Sequence, residues 1–175
     1  MEGRPQQWNS HRDGQHGRAA FRSRTVDPAM GHRSTFGSQS QPVLCESVVE
    51  ALMALGPDGM YADCSFGSGG HAQALLQRLS AWGRLLVLDV DPSSFSEARA
   101  LEAADGRVQA HHLAHSALAR VVPSGKRLAG VLFDVGPSEK SERDPRRGLS
   151  LGDDFRCDLR MNPSHGLSAA EWLRQ

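Results

Sequence analysis

The stretch Met60-Tyr-Ala-Asp-Cys-Ser-Phe-Gly-Ser-Gly-Gly-His71 constrains this chain more than any other. A short apolar run ends in a carboxylate, three glycines follow within four residues, and Ala72, Leu75, Leu76 and Leu79 then recur at helical spacing. That order predicts strand, tight turn, helix. A helix begun at such a turn offers free N–H groups and the positive end of its dipole to a polar or anionic ligand, and glycine allows positive φ and close backbone approach. Gly67, Gly69 and Gly70 are therefore candidate binding positions, although the same residues would also serve a plain strand-to-helix connection.

Arg84-Leu-Leu-Val-Leu-Asp89 reads as a second buried strand that closes on an acid. Asp89 lies 22 residues after Gly67, the distance at which a nucleotide-binding βαβ unit presents a carboxylate to ribose hydroxyls. Glycines at 67, 69 and 70 do not spell the dinucleotide G-x-G-x-x-G, which counts against a nicotinamide dehydrogenase. The pattern D-x-x-F-G-x-G-G suits an adenosyl ligand without pyrophosphate and points to S-adenosylmethionine.

Residues 1–40 are rich in Arg, Ser, Gln, Gly and His and lack aliphatic periodicity, so disorder is expected there. Arg4, Arg12, Arg18, Arg22, Arg24 and Arg33 outnumber Glu2, Asp13 and Asp27, a balance open to organelle import or to a solvated tail. From Gln41 the composition changes. Val43, Leu44, Val48, Ala51, Leu52 and Leu55 predict an amphipathic helix ended by Gly56-Pro57. Asp91-Pro92 supplies the N-cap and first position of a helix through Ala104. Val108 to His112 reads as a third strand, Ala114 to Val122 as a short helix, and Leu128 to Asp134 as a fourth strand closing on an acid.

Alternation of this kind predicts an α/β fold with a parallel sheet, in which ligands sit at the carboxyl ends of the strands. Asp63, Asp89 and Asp134 all fall at those ends. Any one of them could instead cap a helix or a turn; together they favour a site. The charged segment beyond Asp134 reads as a solvated loop or as a substrate contact, with Arg143, Arg146 and Arg147 as candidates for RNA phosphate. Leu167 to Leu173 begins a helix in which Ser168 and Glu171 form a capping box.

Composition narrows the alternatives. Formal net charge is zero, so no global field draws the chain to nucleic acid and any RNA contact is local. Cys45, Cys64 and Cys157 have neither disulfide nor zinc-ribbon spacing, and no apolar run approaches membrane-spanning length. His111, His112 and His115 with Asp105 suggest zinc, but adjacent strand residues point to opposite faces, so no metal is expected.

Several blocks together carry a family resemblance: Pro42-Val-Leu, Asp63-Cys-Ser-Phe-Gly-Ser-Gly-Gly-His71, Asp89-Val-Asp-Pro92, Leu132-Phe-Asp-Val-Gly136, Arg147-Gly-Leu-Ser150, Asp158-Leu-Arg-Met161 and Gly166-Leu-Ser-Ala-Ala-Glu-Trp-Leu173. In order and spacing the chain from residue 41 resembles the RsmH (MraW) family of small-subunit ribosomal RNA cytosine-N4 methyltransferases, which has a mitochondrial branch. The resemblance implies a Rossmann-like methyltransferase fold, S-adenosylmethionine as methyl donor, and small-subunit rRNA or the small ribosomal subunit as partner, with no membrane. It also implies donor-binding roles for Gly69, Gly70 and His71 in the glycine turn, for Asp89 at the ribose, and for Asp134 near the reaction centre. Asp134 is the candidate catalytic acceptor.

Departures accompany the matches. His115 stands where the family has a donor-contacting phenylalanine, and imidazole can still stack on adenine. Glu139 and Ser141 replace the second serine and the glutamine of the family's D-L-G-x-S-S-x-Q pattern. By this resemblance residues 41–160 form a truncated methyltransferase domain with an incomplete parallel sheet, and 161–175 begin a helical substrate domain. An inactive truncated relative that binds donor or RNA without turnover is the alternative expectation; the sequence leaves the oligomeric state open.

Overall fold

A computed structural model describes Pro42, residues 44–150 and residues 157–175. The expectations for residues 1–40 therefore lie outside the described residues, as does Val43. The first helix, α1 (Cys45–Leu52), continues as a 3-10 turn over Met53–Leu55 and stops at Gly56, whose φ of 90° favours glycine. Then follow β1 (Met60–Asp63), α2 (Gly70–Arg78), β2 (Arg84–Asp89), α3 (Pro92–Ala104) and β3 (Val108–His112). A 3-10 turn over His115–Ala117 leads into α4 (Leu118–Val121), so the short helix expected there forms in two geometries. After β4 (Gly130–Leu132) come α5 (Glu139–Glu142), a 3-10 turn over Pro145–Arg147, and α6 (Ala169–Trp172) with the expected capping box.

All strand pairs are parallel, in the order β3-β2-β1-β4. β2 lies between two neighbours and is covered on both faces, which is why Leu85, Leu86, Val87 and Leu88 form an unbroken apolar run instead of alternating. Tyr61, Leu85 and Val87 face α1, α2 and α3, where they meet Val49, Leu75, Leu76 and Leu101. Ala62, Leu86 and Leu88 face the opposite way, against Leu118, Val121, Leu128 and Val131. Tyr61 is fully buried, and its hydroxyl donates to the Gly56 carbonyl at 2.6 Å, which satisfies the one polar atom it carries inside.

The fourth strand differs from expectation. Only Gly130–Leu132 pair, against Tyr61–Asp63, and Asp134 lies two residues beyond the ladder. Among the described residues β4 has β1 as its one neighbour, and Phe133 and Val135 are exposed. An apolar run without a second partner strand or a covering layer has nothing to extend its pairing.

Candidate functional site

The glycine turn is shaped by sterics. Gly67 and Gly69 have φ of 56° and 78°, left-handed values that side chains disfavour. Gly69 caps α2, and a Cβ on it would stand 2.6 Å from the Phe66 ring; one on Gly70 would stand 2.3 Å from Pro42. At Gly67 the constraint is conformational alone, because an added Cβ would meet nothing nearer than the Ser65 carbonyl at 3.9 Å.

The 22-residue interval between Gly67 and Asp89 proves to be a direct contact. Gly67 N–H donates to Asp89 Oδ2 at 2.8 Å, and Asp91 N–H donates to Asp89 Oδ1 at 2.8 Å. The end of β2 thus holds the start of the glycine turn, and each carboxylate oxygen keeps a lone pair for another donor. Asp63, at the end of the adjacent strand, is fully buried; Oδ1 accepts from Ser65 N–H at 3.1 Å and Oδ2 has no partner among the described residues. Burial pushes its carboxyl up to about 7, the Ser65 bond opposes the rise, and the charges of Asp89 and Asp134 add to it.

Asp134 enters from the other side of β1. Its N–H donates to Ser65 Oγ at 2.6 Å, and its exposed carboxylate lies 3.6 Å from Nδ1 of the buried His71. His115 sits edge-on to Phe133, with ring centroids 5.8 Å apart. Gly67, Gly70, His71, Asp89, His115 and Asp134 all line one cavity of about 650 Å³, which Leu113, Val90 and Met161 complete on its apolar side. Gly69 is a candidate that does not line it; its part is the helix cap.

Other candidates fall elsewhere. Arg147 is buried, not free for phosphate: its guanidinium donates to Asp91 Oδ2 at 2.8 Å and to the Arg160 and Met161 carbonyls at 3.2 and 2.7 Å. Arg143 pairs with Glu139 and Arg146 with Asp144. His112 stacks on Phe95 and bonds the Val90 carbonyl, while burial lowers the pKa of His111, a fall that Glu102 opposes. Among the described residues no three His, Cys, Asp or Glu side chains are grouped to hold a metal.

The sequence reading missed a buried cluster beside the cavity. Asp91 Oδ1 accepts from the Ser93 backbone and hydroxyl at 2.9 and 2.8 Å, and Oδ2 accepts from Ser141 Oγ at 2.6 Å as well as from Arg147. Burial alone would raise the Asp91 pKa; the bonds from Ser141, Arg147 and Ser93 outweigh it and hold the carboxyl down at about 2. Asp91 was legible as an N-cap, and nothing local signals partners 50 and 56 residues away. Ser141, where the resemblance leads one to expect a glutamine, is turned onto Asp91.

A parallel α/β sheet in the order 3-2-1-4, with a glycine turn and three acids at its carboxyl ends, is of the Rossmann-like, doubly wound class. Comparison with known proteins then identifies the lineage: residues 37–175 match the MraW methylase family, and the chain belongs to it. It is similar to the ribosomal RNA small subunit methyltransferase H of Nitrosococcus oceani, at 47% identity over 78% of this chain and 44% of the relative. The Chromohalobacter salexigens protein of the same name is 46% identical over 75% of this chain and 40% of its own length. The chain thus spans less than half the length of these relatives. A solved chain from Clostridium thermocellum, provisionally described as an rRNA methylase, aligns at TM-score 0.48 and 15% identity over 58% of this chain and 55% of that one. The relatives named are bacterial and give no support to a mitochondrial branch.

Proposed function

We propose that this chain holds S-adenosylmethionine in the cavity at the ends of β1 and β2, as the donor-binding part of an enzyme that methylates N4 of a cytidine in small-subunit ribosomal RNA. The observation that carries the reading is the contact between Gly67 and Asp89, which brings the glycine turn and a carboxylate to one cavity. The names of the relatives support the RNA substrate.

The residues suit this donor. Asp89 retains acceptor capacity for a ribose diol, and Val90, Leu113 and His115 offer apolar and aromatic surface to an adenine. Asp89 and Asp134, both in the cavity lining, supply the carboxylates that a cationic sulfonium requires. When bound, the donor supplies an electrophilic methyl group on that sulfur.

Cytosine N4 is a poor nucleophile because its lone pair is conjugated into the ring. Asp134, open to the cavity, accepts a hydrogen bond from N4 and favours a pyramidal nitrogen whose lone pair is available. As the C–S bond breaks to leave a neutral thioether and the N4–C bond forms, the N4 proton passes to this carboxylate; a backbone carbonyl within 136–138 is the other hydrogen-bond acceptor for N4 in the same space. Positioning and fixed charge supply most of the acceleration. Residues 161–175 are assigned to the start of the RNA-binding domain.

The test is transfer of isotope-labelled methyl from S-adenosylmethionine to small-subunit rRNA, with nucleoside analysis of the product. The reading expects N4-methylcytidine, and a rate lowered ~100-fold in Asp134→Ala. Label on another atom, or full activity in that variant, removes the N4 assignment or the role of Asp134 respectively.

A further inference from the structure

Asp91, Ser141 and Arg147 form a buried polar knot that joins three pieces of the cavity wall. Asp91 follows β2, Ser141 lies in α5 two residues after Glu139, where the cavity-lining segment that begins at Asp134 ends, and Arg147 reaches the carbonyls of Arg160 and Met161, the latter a cavity residue. Every oxygen of the Asp91 carboxylate is occupied, and Asp91 and Ser141 are 0% and 1% exposed. The knot also reaches Asp89, whose Oδ1 takes the Asp91 N–H and whose Oδ2 takes the Gly67 N–H. One chain of contacts therefore runs from the Met161 carbonyl through Arg147, Asp91 and Asp89 to the glycine turn.

We propose that Arg147 is a positioning residue for the donor cavity: through Asp91 it sets the orientation of the Asp89 carboxylate, and it holds Met161 in the cavity wall while Ser141 ties α5, which follows the lining residues Ser138 and Glu139, to the same carboxylate as Arg147. The contacts converge on one terminal nitrogen, Nη2, whose two hydrogens are shared among the Asp91 carboxylate and the Arg160 and Met161 carbonyls, so a buried cation on a long stem, and not a bidentate fork, makes the tie. A merely local function for the pair would stabilise the loop and leave Asp89 unaffected.

The inference rests on S-adenosylmethionine occupying this cavity, and the experiment separates the two claims. Amide hydrogen exchange and calorimetric titration with S-adenosylmethionine are measured on the wild type, Arg147→Met, Arg147→Lys and Asp89→Ala. Because Arg147→Met leaves Asp91 buried without its cation, the double variant Asp91→Asn/Arg147→Met is included as one that removes both charges. The expected result is faster exchange at the Gly67 amide and at the Leu159 amide, which donates to the Arg147 carbonyl at 3.0 Å, in Arg147→Met with the β2 amides unchanged, affinity weaker by roughly tenfold, and partial recovery in Arg147→Lys. Wild-type affinity in Arg147→Met, or exchange that rises in the 138–147 segment with Gly67 still protected, overturns the positioning role. Lack of binding by the wild type overturns the donor reading itself, while exchange at Gly67 still decides whether Arg147 acts on Asp89. In the double variant, native exchange at Gly67 with full affinity also counts against the proposal.

Discussion

The two flanks of β1 differ in how they are built. Towards β2, the site is local: Gly67 and Asp89 belong to one βαβ unit, every residue of β1 pairs with β2, and Leu85, Leu86, Val87 and Leu88 are at most 1% exposed. Towards β4, three residues pair, Asp134 hangs beyond them on a bond to Ser65, and the following segment is anchored by side chains 50 or more residues apart in sequence. The first flank is held by burial of apolar surface and the second by a few polar ties. Under the proposed donor-binding function, the first flank would meet the donor's sugar and the second, dependent on long-range contacts, would face the reacting group.

This contrast can be broken or sharpened by experiment. The largest effect is expected from Asp63, whose carboxyl is pushed up to about 7. Below about pH 3 folded and unfolded states both hold its proton; between about pH 3 and 7 the unfolded chain loses it first, so stability falls by up to ~4 kcal/mol as pH rises. Urea unfolding at a series of pH values should show this slope, and Asp63→Asn should flatten it. Leu85→Ala, on the buried flank, should cost ~3 kcal/mol by the same measurement.

Asp91 titrates with the opposite sign. Its folded pKa of about 2 lies below that of the unfolded carboxylate, so its contribution of ~2 kcal/mol is intact above pH 4 and lost as pH falls towards 2. Arg147→Met should shrink that acid-side loss, with Ser141 and Ser93 still bonded to the carboxylate. The smallest change is expected on the β4 flank, where Val131→Ala takes methyl groups from a half-buried position and should cost about 1 kcal/mol. A Val131→Ala cost equal to that of Leu85→Ala would abolish the distinction between the flanks.

What the sequence made legible follows the same division. The glycine turn, Asp89 and the Asp91-Pro92 helix start were readable because turn chemistry, capping and strand spacing are local rules. Leu128 to Asp134 was read as too long a strand because apolar character alone does not reveal how many neighbours a strand will have. Arg147 looked like a phosphate ligand, since an arginine in a charged loop gives no sign that a carboxylate 56 residues earlier will bury it. Ser141 was seen as a departure from the family pattern, and its bond to Asp91 became visible only once α3 and α5 were placed together.

The central claim is that the cavity at the carboxyl ends of β1 and β2 holds the methyl donor against Asp89. Its most direct test is calorimetric titration of the chain with S-adenosylmethionine beside Asp89→Ala. Saturable one-to-one binding by the wild type that the variant loses, with thermal unfolding of the two still cooperative, is the predicted result. Equal affinity in both proteins, or no binding by a folded wild type, would contradict it.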